Sequence, residues 1–201
     1  MSATPPLRRL LSISVAQATP MEIQGRRILT GIAKQPVSTL ADPARINVRP
    51  LGLEGDEQAD LTVHGGVSKA VYAYPHEHYP FWQTVRAQAG VQAWDEALPH
   101  GMVGENLTVT GLLEADAYIG DVLRFPDCTL AISEPRRPCY KFEARMGFAQ
   151  ALKMMAQSGF CGYYLAVRTP GTLAAGESFE IEPGPREVGI RDLFRAKMKR
   201  A

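Results

Sequence analysis

The chain has 201 residues, enough for one domain with a short appendage and too few for two full domains. Lys+Arg 22 against Asp+Glu 21 leaves a formal charge of +1, which removes the electrostatic case for a nucleic-acid binder. With 45% apolar and 21% charged residues the chain can bury a sizeable core and is no solvated coil, and no run approaches the ~18 apolar residues of a membrane span.

Gly 18 and Pro 15 together make about 16% of the chain against a usual ~12%, a punctuation that favours short strands over long helices. In chain order, Leu10–Ala16 alternates apolar and small polar residues and predicts a first β-strand. Arg8 and Arg9 before it and Ala16-Gln17-Ala18 after it imitate a secretion signal, but Ser12, Ser14 and Gln17 interrupt the apolar run, so the strand is the preferred reading. Further strands are predicted at Arg27–Ile32, Ile46–Arg49, Val71–Tyr74, Leu107–Thr110, Val122–Phe125, Thr129–Ser133, Tyr163–Arg168 and Ser178–Ile181. A helix follows Pro75, with Tyr79, Trp82 and Val85 repeating at i+3, and a second runs from about Phe148 to Gln157 and ends at Gly159. Leu193, Phe194 and Met198 in the tail after residue 182 read as the start of a basic helix. Many short strands, few helices and no regular βαβ alternation predict a mainly β fold, a closed or nearly closed β-barrel over 10–182 with a few helical insertions.

The sharpest chemical feature is Glu134-Pro135-Arg136-Arg137-Pro138-Cys139-Tyr140-Lys141. Two prolines make the approach to Cys139 stiff and non-helical, while Tyr140 to Met146 can start a helix, which places Cys139 near a helix N-terminus. Arg136, Arg137, Lys141 and Arg145 add positive charge, the surroundings in which low-pKa thiolates act as nucleophiles or metal ligands. The alternative fate of Cys139 is that of a small buried hydrophobe. Cys128, on the strand face of Leu130 and Ile132, and Cys161 read as core. Three cysteines with no CxxC pair make no secreted disulfide framework and point to a reducing, cytoplasmic setting.

A second cluster is Gly55-Asp56, Asp60 and His64-Gly65-Gly66-Val67-Ser68-Lys69. Adjacent glycines let the backbone nest an anion, Lys69 can place a charge on a phosphate, and His64 titrates near neutrality; a tight turn with a solvated lysine is the other reading. Gly104-Glu105-Asn106 leads polar groups into an apolar strand, where they either line an opening or cap the ladder. Other motifs fail on spacing. Gly66-Val67-Ser68-Lys69-Ala70 lacks the last glycine of a nucleophile elbow, and His76-Glu77-His78 is not a zinc HExxH. No GxGxxG follows a strand and no Walker lysine motif exists, so NAD and nucleoside triphosphate sites are not expected.

Taken together, Thr30-Gly31-Ile32-Ala33-Lys34-Gln35-Pro36-Val37, Gly55-Asp56, Asp60 to Gly66 with Lys69-Ala70-Val71, and Tyr74-Pro75-His76-Glu77 come in an order that resembles a known family. Gly104-Glu105-Asn106-Leu107, Gly120-Asp121-Val122-Leu123-Arg124 and Glu134 to Cys139 continue it. The resemblance is to the MOSC domain family, named after the C-terminal domain of molybdenum cofactor sulfurases, and within it to the stand-alone bacterial YiiM-type branch, from about Leu10 to Ile181. It implies a β-barrel that binds the molybdenum cofactor (molybdopterin) and a functional cysteine, here Cys139, either a thiolate ligand to molybdenum or a carrier of persulfide sulfur. The branch is associated with reduction of N-hydroxylated compounds, including hydroxylaminopurine-type bases, with electrons from a separate reductase; the alternative is a carrier serving a cofactor-accepting enzyme. By the same resemblance Lys34, His64, Gly65, Gly66, Lys69, Asn106, Arg136 and Arg137 line the cofactor pocket, with His64 also placed to move protons. Relatives of the branch often add a C-terminal three-helix segment, whereas this chain stops at Ala201. No pyridoxal-phosphate domain is present, so Lys69 is not expected to form a Schiff base.

Overall fold

The computed structural model describes residues 7–59 and 65–199. His64 and Asp60, singled out above, lie outside the described residues.

The first third of the chain carries β1 (Arg9–Val15), β2 (Thr19–Ile23), β3 (Arg26–Thr30), β4 (Gln35–Thr39), β5 (Ile46–Arg49) and β6 (Gly52–Leu53). After a 3₁₀ turn at Val67–Lys69 come β7 (Val71–Pro75), a second 3₁₀ turn at His76–His78, α1 (Tyr79–Gln88), β8 (Leu107–Thr110), β9 (Val122–Arg124) and β10 (Thr129–Pro135). The remainder holds α2 (Tyr140–Met146), α3 (Ala151–Ser158), β11 (Tyr163–Thr169), β12 (Gly171–Leu173), β13 (Glu180–Glu182) and α4 (Ile190–Lys199). All nine expected strands are present with small shifts of boundary; the helix expected from Phe148 begins at Ala151.

Eight strands form one curled sheet in the order β13-β9-β10-β11-β7-β8-β1-β4, antiparallel except for the β7–β8 pair. Its far end returns on itself: Leu10 N–H donates to Glu177 O at 2.9 Å, Gly176 N–H to Leu10 O at 2.7 Å and Phe179 N–H to Arg8 O at 3.2 Å, just ahead of β13. The sheet is therefore nearly closed, with β13 and β4 as its ends, and is not a sealed cylinder. β12-β5-β6 and the β2–β3 hairpin are separate small sheets. In the hairpin Gln24 and Gly25 both take positive φ (51° and 73°), the two-residue turn whose twist matches its strands.

The barrel interior and its helical cover form one core. Leu10, Ile13, Leu107, Leu123, Leu130 and Ile132 come from the sheet, and Trp82 and Phe142 from α1 and α2, all essentially without exposure. Each such side chain contributes on the order of 1.5–3 kcal/mol by leaving water. On α1, Tyr79, Trp82 and Val85 face inward at the expected i+3 spacing. The basic tail after residue 182 includes α4, whose Ile190 and Phe194, one turn apart, are buried in the same core. Cys128 and Cys161 are core as expected. Burial pushes the Cys128 thiol up to about 12, with Glu177 and Asp127 adding to it.

Candidate functional site

A cavity of about 100 Å³ opens beside the barrel wall where the β3–β4 loop, the residues after β6, the Val67–Lys69 turn, β7, β11 and the β10–α2 junction meet. Its shape begins with the prolines. Pro138 fixes its own φ and keeps Arg137 extended, and Cys139 follows at φ −137° and ψ 168° as the cap residue of α2, its carbonyl accepting the Phe142 N–H at 2.9 Å. That junction turns the Cys139 thiol onto the cavity, with Lys141 one step into the helix on the same wall.

Five residues expected to share a site do so: Lys34, Lys69, Asn106, Arg136 and Cys139 all line this cavity. Arg136 is buried, with its guanidinium carbon 4.8 Å from the centre of the Tyr72 ring and 5.1 Å from that of Phe142, and it donates to Val103 O. Stacked in this way and always protonated, it is a fixed cation rather than a solvated one. The Lys69 ammonium lies 3.7 Å from Glu134 and 5.9 Å from the centre of the Tyr164 ring. Glu134 in turn accepts from Lys197 of α4 at 2.9 Å, which ties the C-terminal helix to the cavity rim.

Lys34 reaches Asp56 at 2.5 Å. Burial pushes its pKa down, and the attraction of Asp56 opposes that shift. Asn106 is fully committed: its Oδ1 accepts the Tyr72 N–H at 3.0 Å, and its Nδ2 donates to Asp56 Oδ2 at 2.9 Å and Ser14 O at 3.2 Å. It braces the cavity wall. Lys141 is almost buried and donates to Leu29 O at 3.4 Å, clipping α2 to the β2–β3 hairpin.

The other expected residues fall elsewhere. Arg137 is exposed and does not line the cavity. Gly65 and Gly66 stand back from it; Gly66 N–H donates to Oε1 of Gln58, a lining residue, at 2.9 Å. Glu105 caps the ladder and does not line the opening. It is fully buried and accepts from Gly101 N–H at 2.7 Å, from the Thr108 hydroxyl at 3.0 Å and from the Tyr79 hydroxyl. His76 and His78 diverge, His76 to His100 at 3.3 Å and His78 to Glu114 at 2.7 Å.

Sequence reasoning did not single out Tyr72 and Tyr164 as site residues. Strand register puts them opposite each other, with ring centres 5.3 Å apart, as an aromatic floor beneath the cations. Burial pushes both phenols above their usual range, so they stay neutral. The lining thus carries four cations, Lys34, Lys69, Arg136 and Lys141, against two carboxylates, Asp56 and Glu57. Such a site can hold an anionic group, stack a planar one and offer a soft thiol to a metal.

The family model of the MOSC domain matches residues 60–180, and the chain belongs to that family. Within it the chain is of the YiiM type. Uncharacterized protein YflK of Bacillus subtilis is 37% identical over 172 residues, covering 86% of this chain and 72% of that one. A protein of Gibberella moniliformis named reductase is 33% identical over 151 residues, 73% of this chain but 26% of its own length. The crystal structure of YiiM from Geobacillus stearothermophilus superposes with a TM-score of 0.73 at 25% identity, over 96% of this chain and 85% of the other.

Proposed function

We propose that the protein is a molybdenum-cofactor-dependent oxidoreductase that reduces N-hydroxylated compounds, hydroxylaminopurine-type bases among them, with Cys139 as a thiolate ligand to the metal. The observation that carries this reading is the meeting of the Cys139 thiol with Lys34, Lys69, Arg136 and Lys141 in one cavity. The donor set fits the cofactor. A soft thiolate suits molybdenum, and ammonium and guanidinium groups suit the phosphate of a pterin.

When bound, the cofactor supplies the two-electron redox centre. The reaction is R–NHOH + 2 e⁻ + 2 H⁺ → R–NH₂ + H₂O, in which the N–O bond breaks and the oxygen leaves as water. The chain's own contribution is placement: Arg136, Lys34, Lys69 and Lys141 hold the anionic group, the tilted Tyr72 and Tyr164 rings offer an aromatic floor, and Asn106 braces the wall. His64 is the proposed proton donor. Electrons come from a separate reductase, in keeping with a chain that lacks a nicotinamide or flavin motif, and the reductase name of the Gibberella relative supports the reaction class. We place the protein in the cytoplasm, without nucleic-acid or membrane partners. Its three cysteines form no disulfide, and no helix among the described residues is long and apolar enough to cross a membrane.

The test is molybdenum content with pterin fluorescence on protein made in a cofactor-producing host, wild type beside Cys139→Ala. Near-stoichiometric metal in wild type, lost in the variant, is the expected result. Pterin without metal in both would shift the reading to a carrier, and neither in either would remove the cofactor from the account.

A further inference from the structure

Two of the expected cavity residues, Lys34 and Asn106, end on a single carboxylate that carries no expected role. Asp56 Oδ1 accepts from Lys34 Nζ at 2.5 Å and from the Ala16 N–H at 2.9 Å, and Oδ2 accepts from Asn106 Nδ2 at 2.9 Å. The Lys34 and Asp56 side chains are 9% and 5% exposed. The carboxylate is thus clamped from the end of β1, from the β3–β4 loop and from the start of β8. Asn106 cannot drift, because Tyr72 and Ser14 hold its other contacts.

An ammonium carries three N–H donors, and Asp56 takes one of Lys34's. Since Lys34 lines the cavity, the other two are left for whatever enters it. An isolated ammonium buried this deeply gives up its proton. Among the described residues the charged groups facing Lys34 are Asp56 and Glu105, which favour its charge, and Arg136, which opposes it. Asp56 alone among the described residues is hydrogen-bonded to its ammonium.

We propose that Asp56 is the positioning residue of this cavity, holding Lys34 as a charged ammonium at the wall with two N–H donors presented to a phosphate-like oxyanion. This rests on the reading of the cavity as the seat of the cofactor's anionic group. The competing role, a mere counter-ion that an incoming anion must displace, predicts the opposite outcome when the carboxylate is removed.

Sulfate, whose charge does not change between about pH 7 and about pH 9, serves as the probe in calorimetric titrations of the full chain. Wild type, Asp56→Asn, Lys34→Met and Asp56→Asn/Lys34→Arg are compared. In Asp56→Asn the affinity should fall about tenfold more than in wild type on going from pH 7 to pH 9, as Lys34 loses its charge. Lys34→Met should be weak at both, and the double variant, whose guanidinium keeps its proton, should recover the wild-type profile. Asp56→Asn that follows wild type at both pH values, or binds more tightly at both, overturns the assignment. Wild type that binds no sulfate at either pH overturns the anion-binding reading of the cavity and the assignment with it. A lysine Nζ NMR measurement on wild type needs no variant to fold: Lys34 should be an ammonium at about pH 7, and a neutral amine there refutes the role.

Discussion

Replacing His100 by Gln should flatten the acid side of the stability curve. The His100 ring lies edge-on to Tyr79 with centres 5.3 Å apart, and its Nε2 faces His76 Nδ1 at 3.3 Å. Burial, and secondarily the His76 ring, push its pKa from the usual 6.5 down to about 4. Because the folded pKa is depressed, the unfolded chain binds the extra proton first. The stability this group contributes is therefore complete above pH 6.5 and is lost as pH falls towards 4. At about 1.4 kcal/mol per pH unit the full loss is about 3 kcal/mol, and solvent access to the ring reduces it to roughly 1–2 kcal/mol. Urea unfolding at a series of pH values from about 7.5 to about 4.5 measures it, with the midpoint and m-value followed together. The wild type should lose that much more than His100→Gln over the window. Glu77 does not confuse the comparison. Its carboxyl is held below the usual range because the Gly111 N–H and Thr110 hydroxyl outweigh its burial, and it is common to both proteins. Parallel pH profiles for the two proteins would refute the reasoning.

Two further outcomes follow from close packing around the cavity floor. Gly162, at φ +61°, leaves no room for a side chain: a Cβ would sit 2.5 Å from Ala73 O and 2.8 and 2.9 Å from the Tyr72 and Tyr74 rings. Gly162→Ala should cost about 3 kcal/mol from left-handed backbone strain plus overpacking, read by urea unfolding, and a cost below about 1 kcal/mol would contradict that approach. Asn106→Ala strands the Tyr72 N–H, Ser14 O and one oxygen of Asp56, so a loss of about 2 kcal/mol or more in thermal unfolding is expected, together with weaker sulfate binding. Unchanged stability would mean that water replaces all three contacts.

The strands that could not be read from the sequence share a cause. β2 contains Pro20 and Glu22, β4 contains Pro36 and lies at the sheet edge, and β6 and β12 have two and three residues. A strand with one face in solvent, a proline or so short a span carries little apolar alternation, and only its partner strand defines it. The tail shows the same limit. Its basic composition suggested an appendage, but Ile190 and Phe194 needed only one apolar stripe to join the core.

What the sequence determined by itself is local. The prolines around Arg136 and Arg137 fix an extended approach to Cys139 and a helix after it, and the i+3 spacing on α1 fixes which face is buried. The family motifs were legible as well, and five of the site residues they imply, Lys34, Lys69, Asn106, Arg136 and Cys139, meet in the cavity. Only the tertiary structure decided which partners those residues have. Asp56 meets Lys34 across 22 positions and Asn106 across 50, and Tyr72 faces Tyr164 through the β7–β11 register. Such contacts depend on how strands slide past one another and where loops return. A one-residue slip in register would send Tyr72 to the opposite face of the sheet without changing any local propensity, so the arrangement is set by the summed burial of the whole barrel.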